Sequence, residues 1–359
     1  MRRRSLLHLI AALLLPTMLT GIPALIGPQP VGAQDSEVRY TIKNIGVIEG
    51  DTSSLLFAIN EKGVAVGISF NADSGTNRAV TYRKGKLSDL TDGDDRASTV
   101  WAVNKAGQGA GFFADSPQTS AAAVWDGKAT TVLPKLGGDN AQAFGINDDG
   151  VVVGGSSTSA GGPVVACRWD DGHVTALPTA GDRSIANAVT NRGQIVGSGF
   201  GSHATLWDGD KATDLGVLGG TTSLARSINE AGQIVGHSTT TADGQFGAAG
   251  THAFLWDSGT MTDLGTLPGS DTSFAWDINA DGVVSGSAAD PNAADNPNSV
   301  KLLAVIWQDG KIVNLNGLIP ADSGWVLTTA YGINDKGQIV GFGYNKGRQR
   351  GFVLTPITT

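Results

Sequence analysis

Between Phe57 and Phe342 the chain writes one phrase seven times: a residue pair, then I-N-x-x-G, then three residues and a second Gly. The copies read FAINEKGVAVG, WAVNKAGQGAG, FGINDDGVVVG, NAVTNRGQIVG, RSINEAGQIVG, WDINADGVVSG and YGINDKGQIVG. Their Asn seats are Asn60, Asn104, Asn147, Asn229, Asn279 and Asn334, with Thr190 as the exception, and the steps between seats run from 39 to 55 residues. A period of that size specifies a repeat architecture.

Each repeat holds two hairpins. The segment HAFLWDSGTMTDLGTL, then SFAWDINADGVVSGSA, shows both as apolar-rich runs flanking a Gly turn. Within I-N-x-x-G the Asn starts a type I turn, and the Gly takes the left-handed seat that closes it with a bulge. Those seats are Gly63, Gly107, Gly150, Gly193, Gly232, Gly282 and Gly337. The second series (Gly67, Gly111, Gly154, Gly197, Gly236, Gly286 and Gly341) falls inside a strand, where Gly signals close backbone approach. The other hairpin carries an aromatic just before its turn, at Tyr82, Trp125, Trp169, Trp207, Trp256 and Trp307, with a shorter turn expected at Asp126-Gly127. Aromatics repeating at one position read as inter-repeat core, with a sugar-stacking stripe as the rival reading.

Four strands per unit predict an all-β, seven-bladed β-propeller of four-stranded antiparallel blades. The last repeat stops after its third strand, Gly351–Leu354, and the missing fourth stands at the other end of the chain, in YTIKNIG from Tyr40. An N-terminal strand closing the last blade leaves the ring without an open edge.

Before the repeats come Arg2, Arg3 and Arg4, an apolar run from Leu6 to Leu15, and the small-residue site Val31-Gly32-Ala33. This is the layout of a secretory signal peptide over residues 1–33, by a general or a twin-arginine route, ahead of one propeller domain at 34–359. The expected address is secreted or cell-surface, without a membrane span once the leader is cut. A chain starting at Gln34 carries 22 basic against 33 acidic side chains, a net charge of −11, which argues against nucleic acid or an anionic membrane as partner. The single Cys167 permits no internal disulfide and reads as a buried small hydrophobe.

The words HAFLWDSGTMTDLGTLPG, from His252, and GINDKGQIVGFG, from Gly332, resemble the HAF-type bacterial extracellular repeat family over essentially all of residues 38–354. Tyr82 in place of Trp and Thr190 in place of Asn depart from its pattern. The resemblance implies export and a repeat fold, and it carries no catalytic residues onto this chain.

Sequence motifs for catalysis are missing: there is no G-x-S-x-G, H-E-x-x-H, phosphate-cradling loop or C-x-x-C. His173, His203, His237 and His252 fall in different repeats and strand phases, each reading as a half-exposed strand residue. The expected site is instead a loop face, because the tight turns all belong to one side of the disc and the variable loops to the other. Insertions at Thr239–Thr251 and Ala288–Val300 and the long entry Asn316–Trp325 nominate Phe246, Asp290, Asn292, Asp295, Asp322 and Trp325 as contacts for an extracellular polysaccharide or cell-surface protein. Replacing Phe246 and Trp325 with Ala is expected to leave folding intact.

Eight or nine residues before the repeat Asn stand Asp51, Asp95, Asp139, Asp182 and Asp271, a semi-ring of acids near the channel mouth. They read as solvated turn residues or as an electronegative mouth. No cofactor is expected, although Asp290, Asn292, Asp295, Asn296 and Asn298 offer oxygen ligands of the kind calcium takes. Two other readings stay open: a polysaccharide-acting enzyme using acids of several blades, and a structural surface-layer repeat.

Overall fold

The computed structural model describes residues 39–357 apart from 117, 179–182, 243, 245, 246, 248 and 294–300, so the segment expected to be a leader lies outside the described residues. Strands are numbered β1 to β28 along the chain, and they form seven four-stranded antiparallel sheets. Blade 1 consists of β2 (Ser53–Ile59), β3 (Ala65–Asn71), β4 (Thr76–Arg83) and β5 (Lys86–Asp89), and the next five blades repeat that order. The first strands are β6 (Ser98–Val103), β10 (Ala141–Ile146), β14 (Ile185–Val189), β18 (Ser223–Ile228), β22 (Ser273–Ile278) and β26 (Trp325–Ile333). Each touches the first strand of the next blade, and β26 returns to β2, so the seven first strands surround one axis.

The ring closes between the two ends of the chain. Blade 7 takes β26, β27 (Ile339–Asn345) and β28 (Arg348–Pro356) from the C-terminal end and β1 (Tyr40–Asn44) from the N-terminal end. The register pairs Tyr40 with Pro356 and Asn44 with Phe352. The third strand is longer than its apolar run, because β27 and β28 continue to a two-residue turn at Lys346-Gly347.

Both Gly series do what their positions demand. Gly63, Gly107 and their equivalents have positive φ, and Gly63 N–H donates to the Asn60 carbonyl at 2.9 Å. The strand series answers to a bulge: in every first strand the residue three before the repeat Asn is unpaired, as at Phe57 between Leu56 and Ala58. Next to that bulge the chain presses a carbonyl onto the facing strand. A Cβ at Gly111 would lie 1.9 Å from the Thr99 carbonyl oxygen, and one at Gly341 1.9 Å from that of Thr329.

The other hairpin corrects one expectation. The turn at Asp126-Gly127 is not shorter than its equivalents, since Asp126 pairs with Ala129 as Asp170 pairs with His173. Both loops hold two residues, and the difference is turn type. Asp171-Gly172 has positive φ at both seats, whereas in Gly127-Lys128 only the Gly does.

Hydrophobic clusters fill the wedges between blades. Ala110 and Ala122 of blade 2 pack with Ala143, Cys167 and Trp169 of blade 3, and Val153 and Ala166 of blade 3 pack with Trp207 of blade 4. Trp125, Trp169, Trp207 and Trp307 are buried, and the Trp169 indole donates to the Pro134 carbonyl at 2.7 Å. These aromatics are core. Burial also pushes the Cys167 thiol well above its ordinary range, as an inert small hydrophobe requires. No helix among the described residues is long and apolar enough to cross a membrane.

Candidate functional site

Antiparallel alternation puts the first and third turns of every blade on one face and the remaining connections on the other. The tight-turn face is tied together at its centre. Asn60 Nδ2 donates to the Asn104 carbonyl at 2.8 Å, Asn104 to Asn147 at 3.1 Å and Asn147 to Thr190 at 3.1 Å. Across the ring Asn229 donates to Asn279 at 3.1 Å, Asn279 to Asn334 at 3.3 Å and Asn334 to Asn60 at 3.0 Å. Thr190 has no amide to give. Its rung is made three residues earlier, where Asn187 Nδ2 donates to the Ala225 carbonyl at 2.7 Å. Every blade boundary thus carries one amide rung. The following residues form a partial outer ladder, in which Glu61, Asp148, Asn191, Glu230 and Asp335 each accept a backbone N–H from the preceding blade.

The bulge residues line the axis beyond these rungs: Phe57, Trp101, Phe144, Asn187, Arg226, Trp276 and Tyr331, one from each blade. Their rings touch in series. Centroids lie 6.3 Å apart for Phe144–Trp101, 4.3 Å for Trp101–Phe57, 5.3 Å for Phe57–Tyr331 and 5.1 Å for Tyr331–Trp276. The Arg226 guanidinium continues the series 4.6 Å over the Trp276 ring. Asn187 fills the remaining place, so an aromatic arc of five residues faces a polar arc of two. Phe57, Phe144 and Tyr331 are buried, while Trp101, Asn187, Arg226 and Trp276 keep partial solvent access. The Tyr331 hydroxyl and the Trp101 indole N–H are buried without a hydrogen-bond partner.

Burial dominates the electrostatics here. It lowers the Arg226 pKa to about 10, against a raising effect of Tyr331, and pushes the Tyr331 hydroxyl up. Next in the chain to Trp276, Asp277 is raised to about 6 by burial. Three donors oppose that rise: Ser227 Oγ at 2.7 Å, its own Ile278 N–H at 2.9 Å and the Ile333 N–H at 3.1 Å. The carboxylate therefore joins blades 5, 6 and 7. His237 is not half-exposed as its sequence position suggested. It is buried edge-on to Phe274, at 5.2 Å between centroids, and burial followed by the Arg226 charge holds it well below the ordinary imidazole range. Of the other three, His173 is exposed, while His203 and His252 pair with Asp214 and Asp263.

On the opposite face three long connections fall on adjacent blades: 240–250 in blade 5, 290–301 in blade 6 and 315–324 entering blade 7. The last holds two 3-10 turns, Leu315–Leu318 and Ala321–Ser323. The first two loops each touch the connection 264–272 between blades 5 and 6, with Gly250 N–H on the Asp271 carbonyl at 3.1 Å and Pro291 beside Gly269. Asp290 is half-buried and accepts from the Asn292 N–H at 2.9 Å, and Asp322 and Asn292 are exposed. Trp325 is half-buried and packs edge-on to Phe352 at 6.0 Å, as part of the core rather than as a projecting platform. Phe246, Asp295, Asn296 and Asn298 lie outside the described residues.

The acids divide. Asp51 lies 3.7 Å from Arg78, with its side chain 1% exposed. Asp139 is held below the usual carboxylate range chiefly by the Gly161 N–H, at 3.3 Å, and also accepts from Ser157 and Asn140. Asp95 and Asp271 are exposed, and Asp182 lies outside the described residues. Among the described residues no group of three or more His, Cys, Asp or Glu is placed to hold a metal ion.

The axial residues went unnoticed in the sequence because the first letter of each repeat phrase reads merely as half of the pair that opens it. The signal lay in its column: F, W, F, N, R, W and Y in chain order.

No protein-family model and no curated protein matches the chain. Solved structures do. Acylaminoacyl peptidase from Pyrococcus horikoshii is 12% identical with a TM-score of 0.50, over 85% of this chain and 52% of that one. The structure of U3-55K is 11% identical with a TM-score of 0.51, over 88% of this chain and 98% of that one. The chain thus spans about half the length of the peptidase. At such identities the likeness shows the fold alone.

Proposed function

We propose that the protein is an exported, non-catalytic β-propeller, a HAF-type repeat protein, that binds an extracellular polysaccharide or cell-surface protein through its variable-loop face. The observation that carries this reading is the asymmetry of the two faces. One is built from short hairpins locked by amide rungs, a rigid base with little room for variation. The other gathers its three longest connections on blades 5, 6 and 7, two of them braced against the connection 264–272. Loops held by a rigid scaffold are where binding residues concentrate. Asp290, Asn292 and Asp322 supply polar contacts there, and Phe246 and Asp295 belong to the same loops.

The test is incubation of residues 34–359 with a panel of bacterial and plant polysaccharides and with cell-wall fractions, with and without calcium. Retention without new reducing or unsaturated sugar ends is the expected result. Release of such ends would make the protein an enzyme and turn the acids into catalytic candidates. Retention only with calcium would assign the loop oxygens of Asp290 and Asn292 to a bound ion.

A further inference from the structure

The tight-turn face departs from its own repeat at one corner. Just after the aromatic of the other hairpin stand Asp126, Asp170, Asp208 and Asp257, yet blade 1 has Arg83 there. The next seat has positive φ in blades 1, 3, 5 and 6, at Lys84, Asp171, Ser258 and Asp309. Asp and Asn take this left-handed seat more readily than long side chains do, so Lys84 is there against turn preference. Arg83 pairs with Lys86 across the turn, and Lys62 stands in the I-N-x-x-G turn of the same blade. All four are exposed, and none is in an ion pair among the described residues. The chain is acidic overall, so a corner of four free cations runs against its composition.

The opposite sign gathers two blades away on the same face. Asp148, Asp149 and Asp171 of blade 3 are exposed, while Asp170 pairs with Arg168 at 2.7 Å. Blade 2, between the two corners, is nearly balanced: it sets Lys105 against Asp126, and its Lys128 pairs with Asp92. A two-fold axis lying in the face and passing through blade 2 lays blade 1 of each copy on blade 3 of the other. Closed homodimers of this kind need a self-complementary patch, and a face carrying both signs supplies one. Blades 5 and 6 then face each other with Asp257 against Asp281 and Asp309, a smaller effect because Lys311 and the Arg192–Glu230 pair offset part of it. The surface is also preorganised. The Asn60–Asn104 and Asn104–Asn147 rungs hold the inner turns of blades 1, 2 and 3 in place, so docking orders no loop there.

We propose that the tight-turn face is a self-association surface, on which two copies stack face to face through the blade 1 cations and the blade 3 carboxylates. The variable-loop faces then point outward at both ends of the pair. On the loop-face reading above, that makes the dimer a two-headed binder, although the dimer itself does not depend on that reading.

Analytical ultracentrifugation of residues 34–359, which hold all seven blades, tests this at about 100 μM protein in about 20 mM and about 500 mM NaCl. The expected result is a dimer at low salt that weakens roughly tenfold or more at high salt, because its contacts are exposed ion pairs. Arg83→Asp with Lys84→Asp installs the residues that the repeat itself uses. Its melting temperature should hold or rise while self-association weakens roughly tenfold or more, since like charges now meet. Asp149→Lys with Asp171→Lys should weaken self-association to a similar degree. Mixing the two double variants should recover a heterodimer, because each then carries one sign on both corners. A wild-type monomer at low salt overturns the proposal and leaves the basic corner for an acidic partner of another kind. A dimer insensitive to salt and to both double variants overturns it too, as does a mixture of the variants that stays monomeric.

Discussion

Asn147 offers a direct measurement of what closes the ring at its centre. Its side chain donates to the Thr190 carbonyl at 3.1 Å and accepts from the N–H groups of Asp149, at 3.1 Å, and Val151, at 2.9 Å. The Thr190 carbonyl keeps a second donor, Gly193 N–H at 3.0 Å, so losing the rung does not strip it bare. With about 1 kcal/mol per net hydrogen bond, Asn147→Ala should cost about 3 kcal/mol. Blade 4 supplies the natural intermediate: Thr190 Oγ1 still accepts from Gln194 N–H at 3.2 Å but has no amide to reach the next blade. Asn147→Thr should therefore cost about 2 kcal/mol, and Asn147→Asp keeps both acceptances while turning the rung into repulsion between two oxygens. A domain of this size unfolds with an entropy of about 0.7 kcal/mol/K, so these costs appear as melting shifts of roughly 3–4 °C. Calorimetry with urea denaturation at pH 7 reads them. Asn147→Asp as stable as wild type would refute the reasoning, because the rung would then contribute nothing.

Five further outcomes follow from the same geometry. Thr190→Asn should raise stability by about 1 kcal/mol by offering a donor to the Asn229 carbonyl, checked by the same melts. Gly111→Ala, whose Cβ would sit 1.9 Å from the Thr99 carbonyl, should cost 3 kcal/mol or more, on the order of a buried clash. Gly107→Ala has open space and φ of +101°, and should cost only about 1–2 kcal/mol of backbone strain. Deleting residues 37–45 removes β1 and the packing of Tyr40, Ile42 and Ile45, and should lower the melting temperature by about 10 °C. The Asp277 carboxyl has a folded pKa of about 6, above its unfolded value. Its stabilisation is therefore complete below about pH 4 and is lost as pH rises towards 6 and beyond. Partial solvent access limits that loss to roughly 1–3 kcal/mol, and Asp277→Asn should remove this pH dependence from urea titrations at pH 4 and 7.

Much of the scaffold was legible because the repeat exposes its own rules. The turn Gly seats, the strand Gly series and the fourth strand at Tyr40–Asn44 each follow from one aligned column, and each carries a single local constraint: positive φ, carbonyl contact or an unpaired edge. The turn at Asp126-Gly127 was misjudged because a I′ and a II′ loop of equal length differ only in which seat holds Gly. The axial residues and the rungs were not legible in the same way. Asn in I-N-x-x-G explains itself as a turn starter, and its second bond, to a carbonyl some 43 residues away, leaves no local trace. Trp325 shows the opposite limit. Its place in a long loop suggested exposure, yet as the first residue of β26 it turns onto Phe352, so Trp325→Ala should disturb the core.

The departures from the repeat carry the most functional information, because a rule kept six times is broken only where something offsets the cost. Blade 4 loses its Asn at position 190 and recovers the rung at Asn187, which occupies a place where five other blades carry an aromatic ring. Blade 5 keeps its rung through Asn229, so the ladder does not account for Arg226 at the equivalent place. Its guanidinium stacks on Trp276 and acts on Tyr331 and His237. One polar substitution thus serves the rung ladder, and its neighbour stacks in the axial series. The boundary between blades 4 and 5 is where the ring departs furthest from its repeat, with two polar side chains in a column that is otherwise aromatic.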